Sequence, residues 1–547
     1  MVEIVTAPDI VNPFGTRNTF HLDTTSSEDL SLELLLDAVS LNEYGHEVAK
    51  SVFRELREDL ETVVYRQEVF EELLLDTDLR QTVSTYAQKL YHFRDSLLQV
   101  RDIHSSEFMN RLRLLREYIT FVNHLPNLDS AKSRVLQEVN TYFKSIKDSG
   151  GFQETCKLVP EIENLSGVTF RVAFDNNGKP TSMSAFELVS SDSSEIDIDL
   201  SELVEEPAER GYISSLLRKV VNRKKEDPDF KQEQQRTEEQ ALIERSGELN
   251  RLGRDIHLFI ERQFTSLLRE YSKQVYAMTA LVGPLYFYSC FTDYFAKLKE
   301  REFDITKPIL LAKEERRTDV KNVRNPLVGE RRKAMQVTPN DITSNADENM
   351  FVITGPNNGG KTTYIKTVGL LQIMAQSGLF VPAEVAELSF VDGIYTHFVA
   401  PDDITQGDGR YRNELYRMKS ILQRATPFSL VILDEPCGGT SYGEGQKQSL
   451  ALLDGFHQLG STTYFTTHMH PLTDEVENGR LPAARNLQVD CIDDGVKLVY
   501  TFKIKPGASG KSYGEEIARE VGLMPHNIDA IISEGAAEGG YARLLRK

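Results

Sequence analysis

Cysteine is scarce in this 547-residue chain: Cys156, Cys290, Cys437 and Cys491 stand far apart, with no CxxC pair. That spacing argues against a disulfide framework and against a structural zinc site, and it points to a reducing, cytoplasmic setting. No run of about 18 apolar residues occurs, and the N-terminus lacks a basic region followed by an apolar stretch. A soluble protein without a membrane span is expected. Positive charge is also in deficit, with 63 Lys and Arg against 83 Asp and Glu and a formal net charge of −20. A uniformly acidic surface repels nucleic acid, so any DNA contact must be local. Two basic clusters qualify: Arg218, Lys219, Arg223, Lys224 and Lys225, then Arg316, Arg317, Lys321, Arg324, Arg331, Arg332 and Lys333. Each reads either as a solvated face with interspersed acids or as a phosphate-binding patch.

At about 150 residues per domain, the length allows three or four domains. From Leu30 to Leu125 the chain is Leu-rich, charged and nearly free of Gly and Pro. Val48, Val52, Leu56, Leu60, Val63 and Val64 recur at helical spacing, which predicts several packed helices. The texture changes at Gly150-Gly151. VTFRVAF and TSMSAFELV, joined by DNNGKP, predict two strands around an Asn-Gly turn, and the acidic, Ser-rich stretch that follows reads as an exposed loop. Helical periodicity returns from Gln232 to Met278. It fits either bundle packing or one lever about 60 to 75 Å long at about 1.5 Å per residue. Gly283-Pro284 is the first clear breaker after it.

Further on, MFVITG, FSLVILDEP and STTYFTTH alternate with helical stretches at 361–376, 412–423 and 446–459. This order predicts a largely parallel sheet covered by helices. Gly355, Pro356, Asn357, Asn358, Gly359, Gly360, Lys361 and Thr362 satisfy G-x-x-x-x-G-K-[ST] between a strand and a helix, with Thr363 next. In such a loop the glycines turn backbone N–H groups toward phosphate oxygens and the helix N-terminus faces the same charge. Lys361 is expected at the β- and γ-phosphates of ATP and Thr362 at Mg2+. The strand Ser429–Asp434 ends in two carboxylates, of which Asp434 suits the metal shell and Glu435 suits polarising the attacking water. His468, after the next apolar strand, is placed to sense the γ-phosphate, although a lone strand-end His is more often structural. The Gly-rich turn at 405–410 opens into a helix, an arrangement by which some ATPases reach a partner subunit's phosphate, and it implies a dimer.

These segments resemble the MutS family of mismatch-repair and recombination ATPases. The resemblance rests on TGPNNGGKTTYIKTVGLLQIMAQSGLFVPAE, SLVILDEPCGGTSYGEG, TTHMHPL and YTFKIKPGASGKSYGEEIAREVGLMP, and more weakly on Leu41 to Leu75 and on Arg324-Asn325-Pro326-Leu327-Val328. It implies a multidomain chain in which an all-α core and lever region precedes an α/β ABC-type P-loop ATPase domain. The divisions expected are a helical core over 1–150, a small insertion over 151–230, a lever and return over 231–330, and the ATPase with a C-terminal dimerisation segment over 331–547. The resemblance also implies a homodimer that holds duplex, branched or structured DNA, switches a clamp with ATP and Mg2+, and meets repair partner proteins. Carried over by residue, Lys361 and Thr362 bind phosphate and magnesium, Asp434 joins the metal shell, Glu435 activates water, and His468 lies by the γ-phosphate.

Three departures bear on function. The helical core is expected to begin almost at once, so the family's mismatch-reading domain is not expected here, and Phe152-Gln153-Glu154 has that domain's letters in another setting. No nuclease domain is expected after the ATPase motifs. Where the family has Ser-Thr before an aromatic in its partner-contact segment, this chain has Gly409-Arg410 before Tyr411, and Arg410 is expected to supply positive charge instead. A contrasting function, favoured by the −20 charge, is a soluble ABC-type ATPase acting on ribosomes or protein assemblies.

Overall fold

The computed structural model describes residues 6–13, 19–99, 107–163, 165–174, 180–190, 195–196, 265, 268–269, 271–329, 332–398, 409–493, 498–509 and 514–538. It forms two compact units, which interleave along the chain. One comprises residues 1–8, 88–129 and 138–281, and the other residues 9–87, 130–137 and 282–547. Among the described residues, no helix is long and apolar enough to cross a membrane.

Among the described residues, the first unit is helical with one antiparallel sheet. Phe93 stacks on Phe121 with centroids 5.1 Å apart. The predicted hairpin is present as Leu165–Phe174 paired antiparallel with Pro180–Ser190, and Glu195–Ile196 adds a short third strand. Gly150-Gly151 does not end the helical texture. A helix runs Gly150–Glu163, because the Ser149 hydroxyl accepts from the Phe152 N–H and supplies the N-terminal cap that two glycines do not. The Phe152-Gln153-Glu154 tripeptide lies in that helix and packs it: Phe152 is buried edge-on against Tyr118 at 5.7 Å, and Glu154 accepts from the Tyr271 hydroxyl at 3.0 Å. Of the lever stretch, residues 271–279 are helical; most of Gln232 to Glu270 lies outside the described residues, as does the basic cluster at 218–225.

The second unit carries the nucleotide motifs on a six-stranded sheet. Its order is Ile394–His397, Leu430–Asp434, Thr462–Thr466, Met350–Thr354, Ala484–Asp493 and Leu498–Pro506. The first five are parallel and the last is antiparallel. Met350–Thr354 and Leu430–Asp434 are buried along their whole length, as strands covered on both faces must be. A second sheet orders Ile309–Leu311, Val385–Ser389, Thr318–Val323 and Asn340–Ser344.

Residues 9–87 pack within this same unit. Arg66, fully buried on the Leu60–Leu75 helix, donates to the carbonyls of Val11 and Ser377 and to the Asn12 side chain. Burial pulls its guanidinium down to about 10. Gly378, at φ +80, meets Arg66 so closely that a Cβ would stand 2.7 Å from the arginine's own. The Gln376 amide donates to the carbonyls of Arg57 and Val391. The Gln376-Ser377-Gly378 stretch thus fastens the P-loop helix to the N-terminal helices. A helix begins at Val282, with Gly283 so close to the Glu43–Arg54 helix that a Cβ would lie 2.7 Å from Val48 and 2.9 Å from the Tyr44 carbonyl.

Candidate nucleotide site

The buried Met350–Thr354 strand delivers the chain to Gly355 at φ +142, where a Cβ would stand 2.8 Å from that of Val489. Gly360, at φ +100, caps the Lys361–Gln376 helix. Two positions therefore demand glycine, one by close approach and both by left-handed or extended positive φ. Lys361 is buried, and its ammonium donates to the carbonyls of Gly355 at 2.9 Å and Pro356 at 3.2 Å, so the loop curls around its own lysine. Burial lowers the affinity of Lys361 for its proton, opposed by the charges of Glu435 and Asp434.

Adjacent strands bring up the acids. Thr362 Oγ1 donates to Asp434 Oδ2 at 2.8 Å, and Thr466 Oγ1 donates to Asp434 Oδ1 at 2.5 Å. Glu435, one residue past the strand, is turned to φ +50, and its N–H donates to the Thr466 hydroxyl at 3.0 Å. Its Oε1 lies 2.7 Å from His468 Nε2 and 3.8 Å from the Lys361 ammonium, and His468 Nε2 lies 3.3 Å from that ammonium. The hydrogen bond to His468 holds the Glu435 carboxyl below the ordinary range, with burial opposing and Lys361 assisting. His468 is therefore gathered with the catalytic candidates and does not stand apart as a structural strand-end residue.

Beside the loop opens a cavity of about 460 Å³, within the range of small-molecule sites. Its walls include Asn325, Arg332, Asn340, Gly359 to Thr363, Glu435 and Phe502. Sequence reasoning missed Phe502 and Asn340 as site residues. Asn340 donates to the Phe502 carbonyl at 3.0 Å and accepts from the Ile504 N–H at 2.8 Å, which holds Phe502 at φ +60 with its side chain half exposed on the cavity. Asn325, seen in the sequence only as part of a motif, donates to Thr367 Oγ1 at 2.9 Å and accepts from the Leu327 and Val328 N–H groups. It ties the Pro326–Gly329 turn to the P-loop helix. The donor set fits magnesium: one hydroxyl and one carboxylate, the sparse protein ligation that leaves room for phosphate oxygens and water.

The partner-contact turn is described only from Gly409, an exposed residue that caps the Arg410–Arg424 helix. Residues 399–408 and the Arg410 side chain lie outside the described residues. In the basic cluster at 316–333, Arg317 pairs with Asp319 and Glu387, Lys321 with Asp319 and Asp341, Arg324 with Asp304, and Arg316 donates to the Gly460 carbonyl. Those cations are spent on neighbouring groups, which favours the solvated-face reading for them.

A phosphate-binding loop set beside a strand-end Asp-Glu pair on a mostly parallel sheet defines a P-loop nucleotide-binding domain. Residues 351–536 match the family model for MutS domain V. The chain is 33% identical over 307 residues to the DNA mismatch repair protein MutS of Lactobacillus johnsonii, covering 55% of this chain and 33% of that relative. It is 38% identical over 222 residues to MutS of Caldicellulosiruptor saccharolyticus, covering 40% and 25%, and 38% identical over 244 residues to DNA mismatch repair protein MutS 2 of Halobacterium salinarum, covering 43% and 27%. The matched stretch thus spans about a quarter to a third of these relatives. Over this stretch the chain is similar to proteins of the MutS family.

Proposed function

We propose that the chain hydrolyses ATP with magnesium at this site and couples turnover to holding DNA, as a dimer, in repair or recombination. The observation that carries the proposal is the meeting of Lys361, Thr362, Asp434, Glu435 and His468, from three adjacent strands, beside one cavity that Lys361, Thr362 and Glu435 line. The P-loop N–H groups and Lys361 would bind the phosphates, and the apolar face of Phe502 suits the nucleobase. Thr362 and Asp434 would hold magnesium, whose chemistry there is to neutralise charge on phosphate oxygens. Glu435, kept ionised by His468, would orient a water and accept its proton. Dimerisation is supported by apolar side chains exposed near the C-terminal end of the described residues: Val521 (72%), Leu523 (59%), Ile528, Ile531 and Ile532. The DNA part rests on the relatives, whose names give DNA mismatch repair.

The net charge of −20 favours a second reading, an ATPase acting on protein or ribonucleoprotein assemblies. A salt titration of binding to duplex, mismatched and branched DNA separates the two, with ATP turnover followed in parallel. The DNA reading expects affinity to fall steeply with salt and turnover to change when DNA is added. No binding at low salt, with turnover indifferent to every DNA, would leave the second reading standing.

A further inference from the structure

The turn that follows Asp434 holds two non-glycine residues in the left-handed region, Glu435 at φ +50 and Cys437 at φ +65, on either side of Pro436. Each such residue costs on the order of 1–2 kcal/mol, and it persists only where its surroundings dictate it. Pro436 fixes its own φ, so the turn has few ways to relax except by releasing one end. The Glu435 end is pinned by Thr466, whose carbonyl and hydroxyl accept the Glu435 N–H at 3.2 and 3.0 Å. The Cys437 end is pinned by Glu414, whose Oε1 accepts the buried Cys437 N–H at 2.6 Å.

Glu414 projects from the Arg410–Arg424 helix and is itself buried, at 8% exposure. The same Oε1 lies 3.0 Å from His397 Nε2 at the end of the edge strand. The helix lies over the turn closely enough that a Cβ on Gly439 would stand 3.5 Å from the Tyr411 Cβ and 3.6 Å from Glu414 Oε2. Cys437 is wholly buried, and a Cβ on Gly445 would come 2.7 Å from its carbonyl, so the amide has no water to turn to. A buried amide N–H without an acceptor costs about 1–3 kcal/mol, comparable to the strain in the turn itself.

We propose that Glu414 is a positioning residue for hydrolysis: by accepting the Cys437 N–H it keeps the 435–437 turn left-handed and so aims the Glu435 carboxylate at His468 and Lys361. This rests on the reading of Glu435 as the water-orienting base. It makes the helix that opens at Gly409 a direct mechanical neighbour of that base, through one hydrogen bond and two peptide units. What matters is the place of the acceptor oxygen and not the charge of the side chain.

Two substitutions in the full chain separate place from charge. Glu414→Gln keeps a carbonyl oxygen at the same reach and loses the charge. Glu414→Asp keeps the charge and withdraws the oxygen by one methylene. We expect Glu414→Gln to hold kcat for ATP within about threefold of the parent, and Glu414→Asp to lower it at least about tenfold with KM and the affinity for a fluorescent ATP analogue unchanged. Hydrogen exchange at the Cys437 amide should be slow in the parent and in Glu414→Gln, and at least about tenfold faster in Glu414→Asp. The proposal is overturned if Glu414→Asp keeps the parent kcat, if Glu414→Gln falls as far as Glu414→Asp, or if the Cys437 amide exchanges equally in all three. A parent chain that binds the analogue but turns over no ATP would refute the hydrolytic reading of the site. The exchange measurement would still decide whether Glu414 holds the turn.

Discussion

The site contains two left-handed turns built on opposite principles. Between Gly355 and Gly360 the chain turns mainly because glycine permits it at both ends, with Asn358 at φ +61 between them, and the pieces proposed to meet phosphate lie within eight consecutive residues. Between Asp434 and Cys437 the chain turns without glycine, held by side chains from Thr466 and Glu414 on other elements. The first turn carries the proposed binding and is nearly self-sufficient. The second carries the proposed chemistry and depends on its neighbours, so it is the half that distant changes can reach.

The comparison is broken most severely through Lys361. Lys361→Ala removes the ammonium around which the P-loop curls, and we expect loss of ATP binding by at least about 100-fold, read by a fluorescent analogue. Retained affinity would mean that the loop's N–H groups suffice. Gly355→Ala tests whether the first turn needs glycine. A Cβ 2.8 Å from that of Val489 at φ +142 should cost about 2–4 kcal/mol, seen as a drop in the denaturation midpoint and weaker nucleotide binding.

The second turn is probed through its electrostatics. Because the hydrogen bond to His468 depresses the Glu435 carboxyl, the base stays ionised at lower pH than a free glutamate would. His468→Ala should raise that carboxyl toward its ordinary value and move the acidic limb of the kcat profile to higher pH by up to about one unit. An unmoved limb would show that Glu435 does not set it. The smallest effect is expected at Asp23, which binds Arg417 at 3.0 Å and Arg424 at 3.0 Å on the helix that carries Glu414. Burial pushes the Asp23 carboxyl up, but hydrogen bonds from Arg417 and the Ser26 N–H, with the charge of Arg417, hold it well below the usual range. A carboxyl depressed by folding contributes stability above its unfolded value and loses it as pH falls through the folded one. Asp23→Ala should therefore cost about 1 kcal/mol at neutral pH, with the difference from the parent shrinking in strong acid.

The same contrast explains what could be seen in the sequence. The P-loop, the 350–354, 430–434 and 462–466 strands and the 361–376 helix are written in contiguous residues, where glycine, lysine and apolar runs carry local meaning. Asp434 and Glu435 were legible because they end such a strand. Glu414, Phe502 and Asn340 were not, because nothing near them in sequence signals that they meet the site. Glu414 gains its role from an amide 23 residues away and Asn340 from a strand 162 residues away. The packing of residues 9–87 into the nucleotide-binding unit was likewise hidden, since it rests on Arg66 reaching Ser377 across 311 residues. Helical periodicity predicts that a face is buried, and it does not say against what.

The most direct measurement of the central claim compares the parent chain with Glu435→Gln for ATP hydrolysis in the presence of magnesium, with binding of a fluorescent ATP analogue read in the same preparations. The account predicts analogue affinity within a few-fold of the parent and a fall in kcat of at least about 100-fold. Hydrolysis at the parent rate in Glu435→Gln would contradict it, and would mean that another group orients the water.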